Sequence, residues 1–360
     1  MARAPKKQDT AYAGRNRDML SEEDYDCYHY VNRDIYSRNP PGRKKRGPIR
    51  RFFRFLFILC LLAVLVVGGY SAWLYFQLER QPANTSSYVE QPKNAPNWGI
   101  ASRKDVFNLL LIGADRNRDG SNGRSDTMML VSIDRTNRKL RLVSFLRDMY
   151  LDIPTVGYER LNAAFAYGGA ALTMQTIENY FRVKIDKYMQ TDFENFEKII
   201  EQMGGVDVEL SQEEADFMNA EKGWELQAGV QHLNAEEALF FSRIRNLDSD
   251  FGRTGRQRQM VLCMIDTFMQ LPVSQKLTTL SGYLPYVMTN LSYTDLFSLG
   301  LLAVQYSEYE VETMYIPDAG TYEPIEVELN GASGNQVLQP DIEENARRLR
   351  VFLYGEEMAE

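Results

Sequence analysis

The sequence predicts an α/β domain carried beyond a membrane by one N-terminal transmembrane helix. Three observations predict it. Phe55 to Phe76 is a 22-residue run without a charge. Short apolar runs bounded by polar turns follow Lys104. Helical patterns then alternate with further short apolar runs, the pattern of α/β architecture.

As a helix, Phe55–Phe76 rises about 33 Å, against a hydrocarbon thickness of about 30 Å. Lipid offers peptide N–H and C=O groups no partner, so a spanning segment is helical. Trp73 and Tyr75 suit the outer headgroup level. A cleaved signal core is shorter and sits near the N-terminus. Before the run stand Arg43, Lys44, Lys45, Arg46, Arg50, Arg51 and Arg54; after it Glu79, Arg80, Glu90 and Lys93 nearly cancel. Cationic flanks stay in the cytoplasm, so residues 1–54 are expected inside the cell membrane and the rest outside.

Residues 1–54 carry 14 Lys/Arg and 7 Asp/Glu, net +7, which leaves −15 for the remainder of a chain whose total is −8. An exterior domain so acidic lacks the basic footprint that nucleic acid requires, so no nucleic-acid partner is expected. Cys27 is expected inside, Cys60 in the span and Cys263 outside, so no intramolecular disulfide supports the outer domain.

Residues 1–54 mix charges, Gly, Pro and Asn without apolar periodicity and read as a disordered basic tail. Residues 77–103 read as a linker whose prolines break any helix leaving the membrane. The domain is expected over 104–355. Val106–Ile112, Thr127–Ile133 and Leu140–Phe145 read as strands, the last two joined as a hairpin. Asn162–Phe181 reads as a helix weakened by Gly168-Gly169. Phe193–Met203 is a helix ended by Gly204-Gly205, and Val206–Leu210 a strand. Asn234-Ala-Glu-Glu237 caps a helix running to about Arg243. A long helix is expected from about Thr254 to Leu271, others over Tyr293–Tyr306 and Asp341–Leu353, and a strand over Glu310–Ile316.

Chemistry is expected at the turns after the strands, where α/β sheets gather ligands. Gly113-Ala114-Asp115-Arg116 follows the first strand, Arg124-Ser125-Asp126-Thr127 leads into the second, and Ser144 to Asp148 ends the third. Two carboxylates, Asp115 and Asp126, suit Mg²⁺, whose other positions go to water or phosphate. Arg243, Arg245, Arg253, Arg256 and Arg258 crowd one short stretch of an acidic domain. Guanidinium forks grip phosphate oxygens in pairs, so the combination suits a Mg²⁺–pyrophosphate ligand. Bland readings stand beside these: Asp115 as a turn residue, Asp126 as a strand cap, the arginines as a solvated face. No Walker spacing is present, His232 reads as a surface histidine, and Cys263 reads as core.

Six ordered blocks carry a resemblance: NLLLIGADR, GRSDTMMLVSID, VSFLRDMYLDIP, RLNAAFAYGG, GGVDVEL and SRIRNLDSDFGRTGRQRQ. Over Phe107 to Met269 the chain resembles the LytR–CpsA–Psr family of cell-wall glycopolymer ligases. The resemblance implies a mixed central sheet with helices on both sides and an apolar cleft for a polyprenyl tail. It implies transfer of a polymer, such as teichoic acid or capsule, from a polyprenyl pyrophosphate carrier to peptidoglycan. By motif, Asp115 and Asp126 would hold Mg²⁺, with Mn²⁺ as the alternative. Arg147, Arg245 and Arg253 would bind pyrophosphate, and Arg124, Arg243, Arg256 and Gln257 would complete or support the substrate site. Arg160 and Asn162 stand at the family's Lys-(Ile/Leu)-Asn block, with Arg160 in place of the commoner lysine. The general base stays open. Two rival readings remain: a polyprenyl-pyrophosphate hydrolase, and a non-catalytic membrane-bound binding or regulatory protein.

Overall fold

A computed structural model describes Gly69, Phe76 and residues 95–355, apart from 117–120, 273–274, 277–278, 280–281, 293, 297, 300–307 and 330. The expected tail, nearly all of the expected span and much of the expected helix at 293–306 therefore lie outside the described residues. Among the described residues no helix is long and apolar enough to cross a membrane.

The three opening runs form β1 (Val106–Arg116), β2 (Asn122–Asp134) and β3 (Lys139–Phe145). With β6 (Lys187–Thr191), β9 (Met288–Thr289) and β10 (Glu310–Ile316) they build a six-stranded sheet in the order β10-β3-β2-β1-β6-β9. The β1–β6 and β3–β10 pairs are parallel; β1–β2, β2–β3 and β6–β9 are antiparallel. The sheet is therefore mixed, and β1, β3, β6 and β10 run in one direction.

Both faces are covered because strand side chains alternate. Leu110, Ile112, Met128, Leu130, Val143 and Phe145 face α1 (Ala163–Phe181) and α6 (Ile342–Tyr354), packing against Met174, Ile177, Phe181 and Leu349. Met129, Val131, Leu140 and Leu142 point the other way, onto Val261, Leu262 and Ile265 of α5 (Asp250–Gln270). Near-continuous apolar runs in β1 to β3 thus mark strands buried on both faces.

A smaller core sits beside this one. It joins α2 (Phe193–Met203), β7 (Val206–Leu210), α3 (Gln212–Lys222), β8 (Gly229–Leu233) and α4 (Ala235–Arg243) to Met260 of α5. Two further hairpins, β4–β5 (Tyr150–Ile153 and Gly157–Arg160) and β11–β12 (Tyr322–Leu329 and Ala332–Pro340), stand off the main sheet.

One helix boundary differs from expectation. Helix α5 begins at Asp250 rather than near Thr254, because the Ser249 hydroxyl accepts the Gly252 N–H at 3.4 Å and Asp250 suits the positive helix end. Residues before the expected start at Lys104 also pack against the domain. Ala101 exchanges backbone hydrogen bonds with Arg182 (2.8 Å) and Lys184 (2.9 Å), and the Arg350 guanidinium lies over the Trp98 ring. Helix α1 is kinked at Gly168 and Gly169, where the sequence already shows a weakness.

The turn into β7 depends on Gly205. Its φ is +102°, and a Cβ there would sit 2.4 Å from His232 Nε2 and 2.9 Å from the Leu233 carbonyl oxygen. Gly205→Ala is expected to destabilise the domain by roughly 2–3 kcal/mol through backbone strain and clash. Thermal unfolding checks this, and an unchanged midpoint would refute it.

Candidate functional site

The shared direction of β1, β3 and β6 brings their C-terminal ends together. Gly113 to Asp115, Leu146 to Asp148 and Thr191 to Asp192 meet there. Asp126 joins them because β2 starts at that end: Gly113 pairs with Thr127 and Ala114 with Ser125. Strand and turn meet closely here. A Cβ on Gly123 would come within 2.5 Å of the Asp115 carbonyl oxygen, so only glycine allows the approach.

Helix α5 closes the other side with its N-terminal turn. Arg147 Nη1 donates to Asp126 Oδ1 at 2.6 Å. Arg253 Nη2 donates to Asp250 Oδ2 at 2.8 Å and to the Asp126 carbonyl oxygen at 3.4 Å. Arg245 reaches Asp126 at 3.8 Å and Asp250 at 4.0 Å, and Arg147 lies 3.5 Å from Asp250. Arg160 pairs with Asp148 at 3.3 Å, and Arg147 approaches the same carboxylate at 3.4 Å. Arg147 and Arg245 therefore share the carboxylates of Asp126 and Asp250, and Arg253 holds the Asp250 carboxylate and the Asp126 backbone.

This cluster borders a cavity of about 430 Å³ between the sheet and α2, α4 and α5. Arg147, Arg243, Arg245 and Arg253 line it, with Asp126 and Asp192 as the lining carboxylates. Asp192 is engaged in capping α2, accepting the Asn195 N–H at 2.8 Å. Arg243 lies 4.4 Å from the Phe193 ring centroid, as a cation over an aromatic face. Away from the arginines the wall is apolar: Leu111, Met189, Phe196, Ile199, Leu239, Met260, Val261 and Met264. The cavity thus joins a cationic end to a greasy interior.

The cation cluster is not fully satisfied by the protein. Among the described residues Arg147 Nε and Arg253 Nε are buried without a hydrogen-bond acceptor, though Arg147 Nε lies within ion-pair distance of Asp148 and Asp250. Burial lowers the Arg253 pKa, opposed by Asp250. Burial pushes the Asp250 carboxyl above the usual carboxylate range, while Arg253 and Arg147 pull it back. Both directions reflect one cause: charge held in low dielectric beside several neighbours of both signs.

The other expected residues fall into distinct roles. Gln257 lines the cavity and its amide donates to the Ser242 carbonyl at 3.4 Å. Asn162 is buried behind the site; its N–H donates to the Arg147 carbonyl at 3.2 Å and its carbonyl accepts the Ser125 N–H at 3.4 Å. Arg124 pairs with Glu159 at 3.1 Å and does not line the cavity. Arg160 also stands outside the lining, donating to the Gln336 carbonyl at 2.9 Å. Arg256 is not brought to the cavity. It is 4% exposed, with its fork on Asp248 (2.7 and 3.0 Å), Glu214 (3.4 Å) and the Ile244 carbonyl (2.8 Å). It fastens the α4–α5 connection. His232 lies on exposed β8, bonded to Asp207 and the Gly204 carbonyl, which together raise its pKa.

Asp115 is exposed at the sheet end that carries Asp126. Among the described residues no group of three or more His, Cys, Asp or Glu is gathered to hold a metal. Mg²⁺ commonly takes one or two carboxylates and fills its octahedron with water and phosphate. Two carboxylates at one end of the β1–β2 ladder, with Asp126 beside the arginine cluster, fit that use.

Asp148 and Asp250 were not among the expected site residues. Asp250 carried a signal: it stands three residues before Arg253, the spacing of a helical ion pair.

The family model described as LytR_cpsA_psr family matches residues 72–350. The polyisoprenyl-teichoic acid–peptidoglycan teichoic acid transferase TagU of Enterococcus faecalis is 31% identical over 258 residues, covering 70% of this chain and 83% of TagU. TagV of Bacillus subtilis, a transferase of the same description, is 30% identical over 276 residues, covering 74% of this chain and 70% of TagV. The crystal structure of TagV superposes with a TM-score of 0.57 at 27% identity, over 70% of this chain and 98% of that one. A structure of YwtF (TagT) with bound octaprenyl pyrophosphate superposes with a TM-score of 0.52 at 26% identity, over 74% of this chain and 98% of that one.

Proposed function

The chain belongs to the LytR–CpsA–Psr family, and from that we propose a phosphotransferase that moves a glycopolymer from a polyprenyl pyrophosphate carrier to peptidoglycan. Arg147, Arg245 and Arg253 at the end of an apolar cavity carry the reading. Pyrophosphate meets the guanidinia, and the prenyl tail lies along the apolar wall. The family's described transferases and the octaprenyl pyrophosphate in one relative support it.

The acceptor hydroxyl oxygen attacks the phosphorus that carries the polymer. The bond from that phosphorus to the bridging oxygen breaks, and polyprenyl phosphate leaves with the electron pair. Negative charge grows on the leaving phosphate, where arginine forks stabilise it. Asp115 and Asp126 would hold Mg²⁺, or Mn²⁺, which supplies further charge neutralisation when bound. Asp250 accepts the hydroxyl proton in this reading. It is a carboxylate inside the cluster that the metal does not claim, and its raised pKa brings it nearer the range useful for a base.

Product analysis with and without peptidoglycan tests the function. Polymer joined to peptidoglycan is expected; free polymer alone in both cases would establish a hydrolase. The base has its own signature. Activity requires ionised Asp250, so kcat/KM is expected to rise with pH through a value above the ordinary carboxylate range. Asp250→Asn is expected to remove that limb and about 10²–10⁴ of the rate; a retained limb would exclude Asp250 as the base.

We also place residues 55–76 as the anchor, with the N-terminus cytoplasmic and the catalytic domain outside. Tethering would hold the domain near a carrier whose tail is in the same bilayer.

A further inference from the structure

Two cations of the arginine-rich stretch stand outside the first cavity: Arg256, held by Asp248 and Glu214, and Arg258. Arg258 lies on α5, five residues beyond Arg253, so it points about 140° away around the helix. It borders a second cavity, of about 490 Å³, at the open edge of the sheet beside β10 and under α6. Arg347, Arg348, Asp318, Tyr315 and Phe352 also border it.

The charge here is unbalanced. Arg347 and Arg348 share Glu344, at 2.9 and 2.7 Å, and Arg348 also meets Asp318 at 2.7 Å. Arg258 has one neutral hydrogen bond, to the Ser144 hydroxyl at 3.0 Å, and no carboxylate within ion-pair distance among the described residues. Burial drags its pKa down, opposed by Tyr315. A half-buried guanidinium without a counter-charge is costly, and a ligand anion removes that cost.

The cavity is also too large for a lone phosphate and falls in the size class of small-molecule sites. Its walls mix guanidinium forks, a carboxylate and aromatic rings. That set matches a sugar, which offers apolar ring faces to aromatics, hydroxyls to a carboxylate, and an acidic substituent to arginine.

We infer that the cavity bordered by Arg258, Arg347 and Arg348 binds an acidic saccharide, one bearing a phosphodiester or a carboxylate. It rests on the transferase reading, since a glycopolymer donor and a peptidoglycan acceptor each contain such a unit. Ser144 ties the two cavities together. It lies in β3, three residues before Arg147, so the end of one strand links Arg258 to the first cavity.

The full chain in detergent is titrated with three probes: farnesyl pyrophosphate, a phosphodiester-linked N-acetylglucosamine oligomer and N-acetylmuramic acid. At least one saccharide is expected to bind wild type and to bind Arg258→Gln at least tenfold more weakly. Farnesyl pyrophosphate binding is expected to be unchanged by that substitution and lost in Arg147→Ala. Selective loss of the oligomer identifies the donor polymer as the source; selective loss of N-acetylmuramic acid identifies the acceptor. If Arg258→Gln does not fold, Arg347→Gln on the open side of the cavity gives the same reading. Saccharide binding that is absent, or equal in wild type and a folded variant, overturns the inference. Failure of wild type to bind farnesyl pyrophosphate instead overturns the transferase reading.

Discussion

Arg147→Ala lowers transfer by roughly 10²–10³-fold, the scale of removing one preorganised donor from a developing anion. Two effects add. The fork that meets the pyrophosphate is lost, and Asp126, held at 2.6 Å, loses its nearest cation. Asp126 then repels the incoming phosphate more strongly, and Asp250 loses a second guanidinium. Folding is preserved in this account, because the Arg147 contact with Asn162 runs through its backbone carbonyl. Arg147→Lys restores charge without the fork and recovers only part of the rate. Steady-state kinetics on folded protein read the outcome. Unchanged kcat/KM in Arg147→Ala would remove the pyrophosphate assignment.

Leu239→Trp separates the two ends of the cavity. Leu239 sits on α4, part of the apolar wall and only partly buried, so a larger ring has room to enter the cavity. Each prenyl methylene kept out of the wall forfeits about 0.8 kcal/mol. Excluding about four such groups lowers affinity for a long-chain substrate by roughly 10²-fold. A short prenyl analogue, which does not reach that wall, keeps its kcat/KM. Equal losses for both chain lengths would show that the tail lies elsewhere.

The chain pattern made much of the fold legible. Uniformly apolar strands mark a sheet buried on both faces, and β1, β2 and β3 appear where those runs stand. Gly204-Gly205 ends α2, and the Asn234–Glu237 capping box starts α4. Other elements escaped for physical reasons. The β11–β12 hairpin shows alternation in one strand only: Ile325, Val327 and Leu329 alternate with Glu326 and Glu328 in β11, while β12 is largely polar and exposed, so no pair of matching runs announces it. The β9 strand has two residues, too short for any period. Helix α3 has few buried positions, Ala215 and Met218 among them, and its signal lies in the Ser211–Glu214 capping box.

The sequence by itself determined the residue types at the strand ends and the density of arginine before and within α5. Tertiary structure alone decided what each arginine does. Arg253, Arg256 and Arg258 are close neighbours in the chain, yet each helical residue turns the side chain by about 100°. Arg253 reaches the first cavity, Arg256 is locked by Asp248 and Glu214, and Arg258 opens onto the second. The partners that separate them come from distant segments: Asp126 from β2, Glu214 from α3, Ser144 from β3. Spacing specifies the angle between side chains, but only packing specifies what stands at each angle.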